Sequence, residues 1–115
     1  MTAPYLALLA DVNRVRGVSG SMVVDEADGL IVQAALPAGM RGGAVAALAA
    51  SLYRKARRST VAAGFGEGDF MQLDAEQGRI CAVGRSGLVL VAVADLRAPV
   101  GRIRVAMLQS REALR

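Results

Sequence analysis

The sequence predicts an α+β fold with a five-stranded antiparallel sheet and helices on both of its faces. Three observations carry this prediction. Two pairs of short strand-like runs flank turn-forming segments, as in hairpins. A long alanine-rich segment has helix-forming composition. The run Leu88–Ala94 is continuously apolar, as a strand covered on both faces would be. The expected order is α-β-β-α-β-β-β-α, in a single domain over residues 1–115.

The first helix is predicted over residues 3–15. Thr2 is the candidate N-cap, and Pro4 suits the first helical turn because its missing N–H needs no partner there. The first hairpin is predicted from the strand-like runs 21–24 and 30–32. Between them, residues 25–29 end in Asp-Gly, which supplies the positive φ of a hairpin turn. This acidic segment lacks the spacing of a calcium loop, so a plain turn is the better interpretation.

The second helix is predicted over residues 41–62. At 100° per residue, one side carries an ordinary core-facing stripe. Its members are Val45, Leu48, Ala49, Leu52 and Ala56. The opposite side has no polar residue in its first turns. It carries Ala46, Ala47 and Ala50, followed by Tyr53, Arg54, Arg57 and Arg58. A helix without a polar face is typically covered on both sides; the alternative is a solvated alanine-rich helix.

A glycine-rich segment, residues 64–68, follows the second helix. It lacks the Lys-Ser/Thr of a phosphate-binding loop and is predicted to be an ordinary loop. Runs 70–73 and 79–83 then predict a second hairpin, and Leu88–Ala94 predicts a central strand. Strands joined by short turns indicate an antiparallel meander. Residues 95–115 are predicted to form the last helix, with Pro99 near its start.

The composition argues against an enzyme. The 115 residues include no histidine and one cysteine, which removes the catalytic arrangements that need a histidine base. Cys81 lies between Ile80 and Ala82, and it is interpreted as an inert core thiol rather than a nucleophile. We therefore expect no catalytic residue, no cofactor and no metal site.

Charge and hydropathy bear on the partners. The net charge is +4, but the four aromatic residues are too scattered to stack successive bases, so nucleic acid is not expected. The hydrophobic fraction of 54% exceeds the usual range of about 45–50%. No apolar run approaches the ~20 residues of a membrane span, and the first ten residues lack the basic segment of a secretory signal. We expect a cytoplasmic protein whose apolar excess is buried against another protein.

The order of elements resembles the roadblock/dynein light chain family, in its bacterial MglB-like type, whose layout is also profilin-like. Several local features agree with it. The motif residues are Gly17-Val18-Ser19-Gly20, Met22-Val23-Val24-Asp25, Asp28-Gly29-Leu30-Ile31-Val32 and Gly87-Leu88-Val89-Leu90-Val91. The resemblance covers nearly the whole chain. One departure is Arg41-Gly42-Gly43 at the entry of the second helix, where family members often carry acidic residues.

The resemblance implies a non-catalytic homodimer that binds or regulates a small Ras-like GTPase, in motility or polarity. It implies edge-to-edge pairing of the sheets and packing of the second helices. The implied dimer interface comprises Ala46, Ala47, Ala50, Phe70, Met71, Gln72 and Leu73. Tyr53, Arg54, Arg57 and Arg58 would form the partner-binding rim; the alternative is a solvated helix end whose cations complement the helix dipole. Two other functions stay open: a structural adaptor without a GTPase, and a small-ligand sensor.

Overall fold

The computed structural model describes residues 4–115. Within them the chain forms three α-helices and five strands in the predicted order. The elements are α1 (Leu6–Asn13), β1 (Val18–Asp25), β2 (Ile31–Ala35), α2 (Gly42–Ala62), β3 (Met71–Ala75), β4 (Gly78–Arg85), β5 (Leu88–Ala94) and α3 (Val100–Ser110). A short 3-10 turn, Arg111–Ala113, follows α3. The predicted fold class is confirmed.

The five strands form one antiparallel sheet in the order β2-β1-β5-β4-β3. Strands β3, β4 and β5 form the predicted meander. The first hairpin joins this meander because β1 pairs with β5. Strand β2 therefore forms one edge of the sheet, and β3 forms the other edge. The apolar run of β5 lies in the centre, as predicted. Its side chains alternate, with Val89 and Val91 toward one face and Leu90 and Ala92 toward the other.

Helices α1 and α3 cover one face of the sheet. The apolar cluster between them and the strands includes Leu9, Val23, Leu90, Ile103 and Met107, all fully buried. Helix α1 is shorter than the predicted range 3–15, and the proposed Thr2 cap lies outside the described residues.

The segment predicted as one last helix, residues 95–115, begins with a turn instead. The Asp95 carboxylate accepts a hydrogen bond from the Arg97 N–H at 2.7 Å. Pro99, which lacks an N–H, then stands immediately before α3. Proline suits that position because a helix start leaves its first N–H groups unpaired.

Helix α2 covers the opposite face of the sheet. Its inward side chains pack on Met22, Val24, Ala82, Val89 and Val91. The sheet is therefore enclosed between α2 on one side and α1 with α3 on the other. None of the helices within residues 4–115 is long and apolar enough to cross a membrane.

Polar contacts tie α1 to one side of the sheet. The buried Ser21 hydroxyl lies 2.7 Å from the Asn13 Oδ1 and 3.3 Å from the Leu9 carbonyl. The Asn13 amide in turn donates to the Ala35 carbonyl at 3.1 Å. One amide side chain thus links α1 to both β1 and the end of β2, and it satisfies a hydroxyl that burial would otherwise penalise.

Gly84 allows α2 to approach the sheet closely. A Cβ at this position would overlap the Tyr53 ring, which lies directly against the Gly84 backbone. A larger side chain on β4 would therefore push α2 away from the strands.

We expect Gly84→Ala to lower the free energy of unfolding by about 1–3 kcal/mol, because the Tyr53 ring must move out of its packed position. Urea denaturation of the purified protein measures the change. The control is Gly101→Ala on α3, where an added Cβ meets nothing within 4 Å. Alanine is the better helix former, so that variant should keep or raise the stability. Equal stability of the two variants would contradict the close packing of Tyr53 on β4.

Candidate interaction surface

Helix α2 sits on the sheet through small side chains. Ala46, Ala49 and Ala50 are buried, and the Tyr53 ring continues this inward face one turn later. Alanines allow the helix backbone to lie close to the valine-rich sheet surface. Val45 packs partly against the same cluster, whereas Leu48 lies outside it and is exposed.

The predicted orientation of α2 is wrong. Of the expected core stripe only Ala49 is fully buried, and Leu48 is 45% exposed. Ala46 and Ala50, predicted for a dimer interface, are buried against the chain's own sheet and present no surface to a second copy. Alanines on both sides of the helix give the sequence pattern little contrast, so the pattern places the bulky Leu48 inward. Ala47 is exposed, as predicted.

The outward side of α2, which we call the outer α2 face, combines exposed apolar and polar residues. Ala47 and Leu48 are exposed near its start and Val61 near its end, and Phe65 just beyond the helix is 86% exposed. Exposed polar residues lie between them: Ser51, Lys55, Arg58 and Ser59. The second apolar side predicted for this helix is not observed. Ala46 and Ala50 belong to the face that packs on the sheet, and the outward side carries polar residues beside Leu48.

Strand β3 lies beside this helix at the sheet edge. The predicted strand 70–73 is observed as Met71–Ala75, so Met71, Gln72 and Leu73 lie on the edge strand. Phe70 precedes the strand, and the Arg104 guanidinium lies 5.4 Å from its ring centroid. A groove of about 90 Å³ separates β3 from α2. Its lining includes Tyr53, Ala56, Thr60, Phe70 and Met71. Helix and edge strand therefore form one surface.

An ion pair holds β3 to β4. Arg79 donates to both carboxylate oxygens of Asp74, at 2.6 and 3.2 Å, and the Gln72 amide lies 3.2 Å from each of them. The hydrogen bonds from Arg79, followed by that from Gln72, hold the pKa of Asp74 below its ordinary value. The predicted pairing residue Gln72 thus has a contact within its own chain.

The four predicted rim residues have different environments. Tyr53 is buried, and desolvation raises the pKa of its hydroxyl. Arg54 donates to the carbonyl of Glu26 at 2.7 Å, and Arg57 lies 2.6 Å from the Glu26 carboxylate. These two arginines therefore fasten the tip of the first hairpin to α2 instead of forming an exposed rim. Arg58 remains exposed, and Lys55 lies one turn before it.

The contact between Glu26 and α2 is not predicted from the sequence. The hydrogen bond that Glu26 accepts from Arg57 raises the pKa of that guanidinium. The acidic composition of the turn is visible in the sequence, but a separation of 31 positions between the partners provides no spacing signal. The turn itself closes as predicted, with the Gly29 N–H donating to the Asp25 carbonyl at 2.8 Å.

Cys81 is fully buried on β4, where desolvation raises the pKa of its thiol to about 11. At neutral pH the thiol is therefore protonated and shielded from solvent, as expected for a core residue. The segment 64–68 is a loop with positive φ at Gly64 and Gly66. Cys81 is thus a core residue and residues 64–68 form a loop, as the sequence predicts.

A family model, the Roadblock/LC7 domain, matches residues 5–94. The matched segment contains α1, α2 and all five strands. The chain belongs to the Roadblock/LC7 family. The resemblance stated from the sequence is thus confirmed, and no curated protein sequence matches the chain.

Solved structures share the roadblock fold. A Roadblock/LC7 domain from Streptomyces avermitilis has a TM-score of 0.82 at 19% identity, covering 93% of this chain and 91% of its own. The gliding protein MglB from Thermus thermophilus has a TM-score of 0.84 at 20% identity, with coverages of 99% and 90%. Myxococcus xanthus MglB has a TM-score of 0.78 at 15% identity, with coverages of 95% and 92%. At these identities the likeness concerns the fold.

We expect Asp74→Asn to lower the free energy of unfolding at pH 7 and to have no effect in strong acid. A carboxyl whose pKa is lowered by folding stabilises the protein above the unfolded pKa, about 3.9, and this contribution is lost as the pH falls through the lowered value. Urea denaturation at pH 7 and pH 2 measures the difference. In an Arg79→Met background the same substitution should have little effect at either pH. A pH-independent effect of Asp74→Asn would contradict the charge-assisted contact.

Proposed function

We propose that this roadblock protein is a non-catalytic homodimer that binds a small Ras-like GTPase as a regulator or scaffold. The observation that carries the proposal is the unpaired edge of β3, together with the groove that this edge and α2 line. An unpaired sheet edge is of a kind that another protein chain covers. The GTPase as partner rests on the family resemblance.

The β3 edge supports pairing with a second copy. An outer strand presents unpaired N–H and C=O groups on one side, and a two-fold axis beside it would pair β3 antiparallel with its mate. The two sheets would then continue into one another. An MglB structure described as having a tetrameric arrangement supports self-association in proteins of this fold.

The outer α2 face supports the same axis. Leu48 is 45% exposed on α2, and Ala56 and Thr60 of the same helix line the groove beside β3. A second copy paired at β3 would bring its own α2 near this surface. Packing of the two helices would bury apolar side chains that water surrounds in one isolated copy. We propose Leu48, Met71 and Leu73 as central interface residues. Ala47 lies beside Gly29 of the first hairpin, away from β3, and Ala46 and Ala50 are buried, so these three alanines are not included.

The exposed cations of α2 support the docking of an acidic partner surface. Lys55 and Arg58 are exposed and line a shared open hollow with Ser51 and Ser59. Arg54 and Arg57 hold the hairpin tip and contribute to the shape of this surface rather than to its rim. The docking rim that we propose therefore consists of Lys55 and Arg58. Association with an acidic partner would be faster at low ionic strength.

The groove between α2 and β3 bears on the small-ligand alternative. Its volume of about 90 Å³ is well below the roughly 300 Å³ at which ligand pockets begin. It suits an apolar side chain from a protein partner better than a metabolite.

We expect Leu48→Lys to shift the protein from dimer to monomer at micromolar concentration, because a charge on the outer α2 face would have to be desolvated in the interface. Size-exclusion chromatography with light scattering measures the mass. The matched control is Leu6→Lys on α1, which replaces another exposed leucine and should leave the mass unchanged. An unaltered dimer in the Leu48→Lys variant would exclude this face from the interface.

We expect Lys55→Glu combined with Arg58→Glu to slow association with the GTPase and to reduce its salt dependence, while the protein stays folded. Pull-down from the source cells in the presence of GDP or of a non-hydrolysable GTP analogue identifies the partner, and surface plasmon resonance then measures the rates. Arg102→Glu on the exposed side of α3 is the control. If both variants bind at the wild-type rate at all salt concentrations, the α2 cations do not form the rim.

A further inference from the structure

At the second edge of the sheet, an exposed apolar run comprises the residue before β2 and the first two residues of that strand. Leu30 and Val32 are 66% and 51% exposed, and Ile31 between them is also exposed. They are the only three consecutive large apolar residues with this exposure in the part of the chain that the structure describes. We propose that the free edge of β2 pairs antiparallel with β2 of a second copy of this chain.

The edge lacks the features that protect exposed strands. Natural edge strands commonly carry charged residues or proline, which discourage pairing with another chain. The sequence of β2, Ile-Val-Gln-Ala-Ala, contains neither. Strand β3 at the other edge carries Asp74 in its ion pair with Arg79. The β2 edge is thus the less protected of the two.

The strand is held in place at both ends before any partner arrives. At its start, the hairpin tip is fastened to α2 through the bonds from Arg54 and Arg57 to Glu26. At its end, Asn13 donates to the Ala35 carbonyl. In the middle, the Gln33 side-chain oxygen accepts from the Tyr5 N–H at 3.0 Å. A preformed edge loses little conformational entropy on pairing.

The charges at the two ends of β2 select a second copy and an antiparallel arrangement. Asp28 lies in the turn that leads into the strand. Arg41 follows the strand, next to Gly42, whose position is in contact range of Leu36 at the strand end. Neither side chain forms an ion pair within residues 4–115. Antiparallel pairing brings the acidic end of one copy toward the basic end of its mate, whereas parallel pairing would bring like charges together.

The irregularity in β2 favours contact by side chains as well as by backbone. The register between β1 and β2 shifts between Val23 and Val24, opposite the segment that contains Val32. A bulge of this kind re-aims a side chain out of the regular alternation. Val32 thereby adds apolar surface at the edge itself, where a paired strand would cover it.

This contact is independent of the β3 dimer, because β2 and β3 lie at opposite edges of the sheet. If both edges pair, copies join into a linear assembly in which β2 and β3 contacts alternate. If only β2 pairs, the assembly is a dimer. In both cases, loss of the β2 contact lowers the number of copies in the assembly by at least half.

Sedimentation equilibrium over a micromolar to millimolar concentration series at low salt tests the proposal. We expect Val32→Lys to raise the concentration needed for this association by at least about tenfold, because lysine at an edge opposes pairing. The matched control is Val105→Lys on α3, where the valine is 55% exposed and the change should have no effect. The proposal is overturned if wild type and Val32→Lys have the same mass at every concentration, or if Val105→Lys weakens association equally.

A charge exchange tests the antiparallel arrangement in the same experiment. Asp28→Lys alone should weaken association and reduce its salt dependence. Adding Arg41→Asp should restore most of the lost affinity, because the opposite charges face each other again across the pair. Failure of the second substitution to restore association would contradict the proposed arrangement of the two copies. A defect in the β3 dimer alone leaves the effects of Val32→Lys and of the exchange unchanged.

Discussion

The pairing of β1 with β5 at the centre of the sheet is the contact on which the rest of the fold depends. Both strands are buried on both faces, so neither can exist without helices above and below it. Helices α1 and α3 supply one cover and α2 the other. Because β1 and β5 occupy the centre, β2 and β3 become the edges. The surfaces available to other chains follow directly from this arrangement.

Helix α2 connects the interior to those surfaces. Its alanines let it lie close to the sheet. Because Gly84 has no side chain, the Tyr53 ring can pack directly against the backbone of β4. Its cations Arg54 and Arg57 fix the first hairpin from the same helix. The side of α2 away from the sheet carries the exposed Leu48 together with polar residues, so it takes no part in the packing within the chain.

The strongly patterned elements were predictable from the sequence. The run of β5, the Asp-Gly turn and the bounds of α2 to within one residue needed only local composition. The rotation of α2 was not predictable, since alanines on several sides hide which side meets the sheet. The ion pair between Glu26 and Arg57 depends on the fold bringing distant segments together. The edge position of β2 depends on the pairing of β1 with β5, which hairpin spacing does not specify.

Amide hydrogen exchange across a dilution series tests the central claim most directly, namely that α2 and β3 together form a surface that a second copy covers. We predict that exchange at Gln72 and Leu73, and along the outer α2 face, accelerates as the protein is diluted from the associated state to the monomer. Exchange in the central strand at Leu90 should stay slow throughout, because that residue is buried within each copy. Exchange rates in β3 and α2 that are independent of concentration, while the mass falls, would contradict the account.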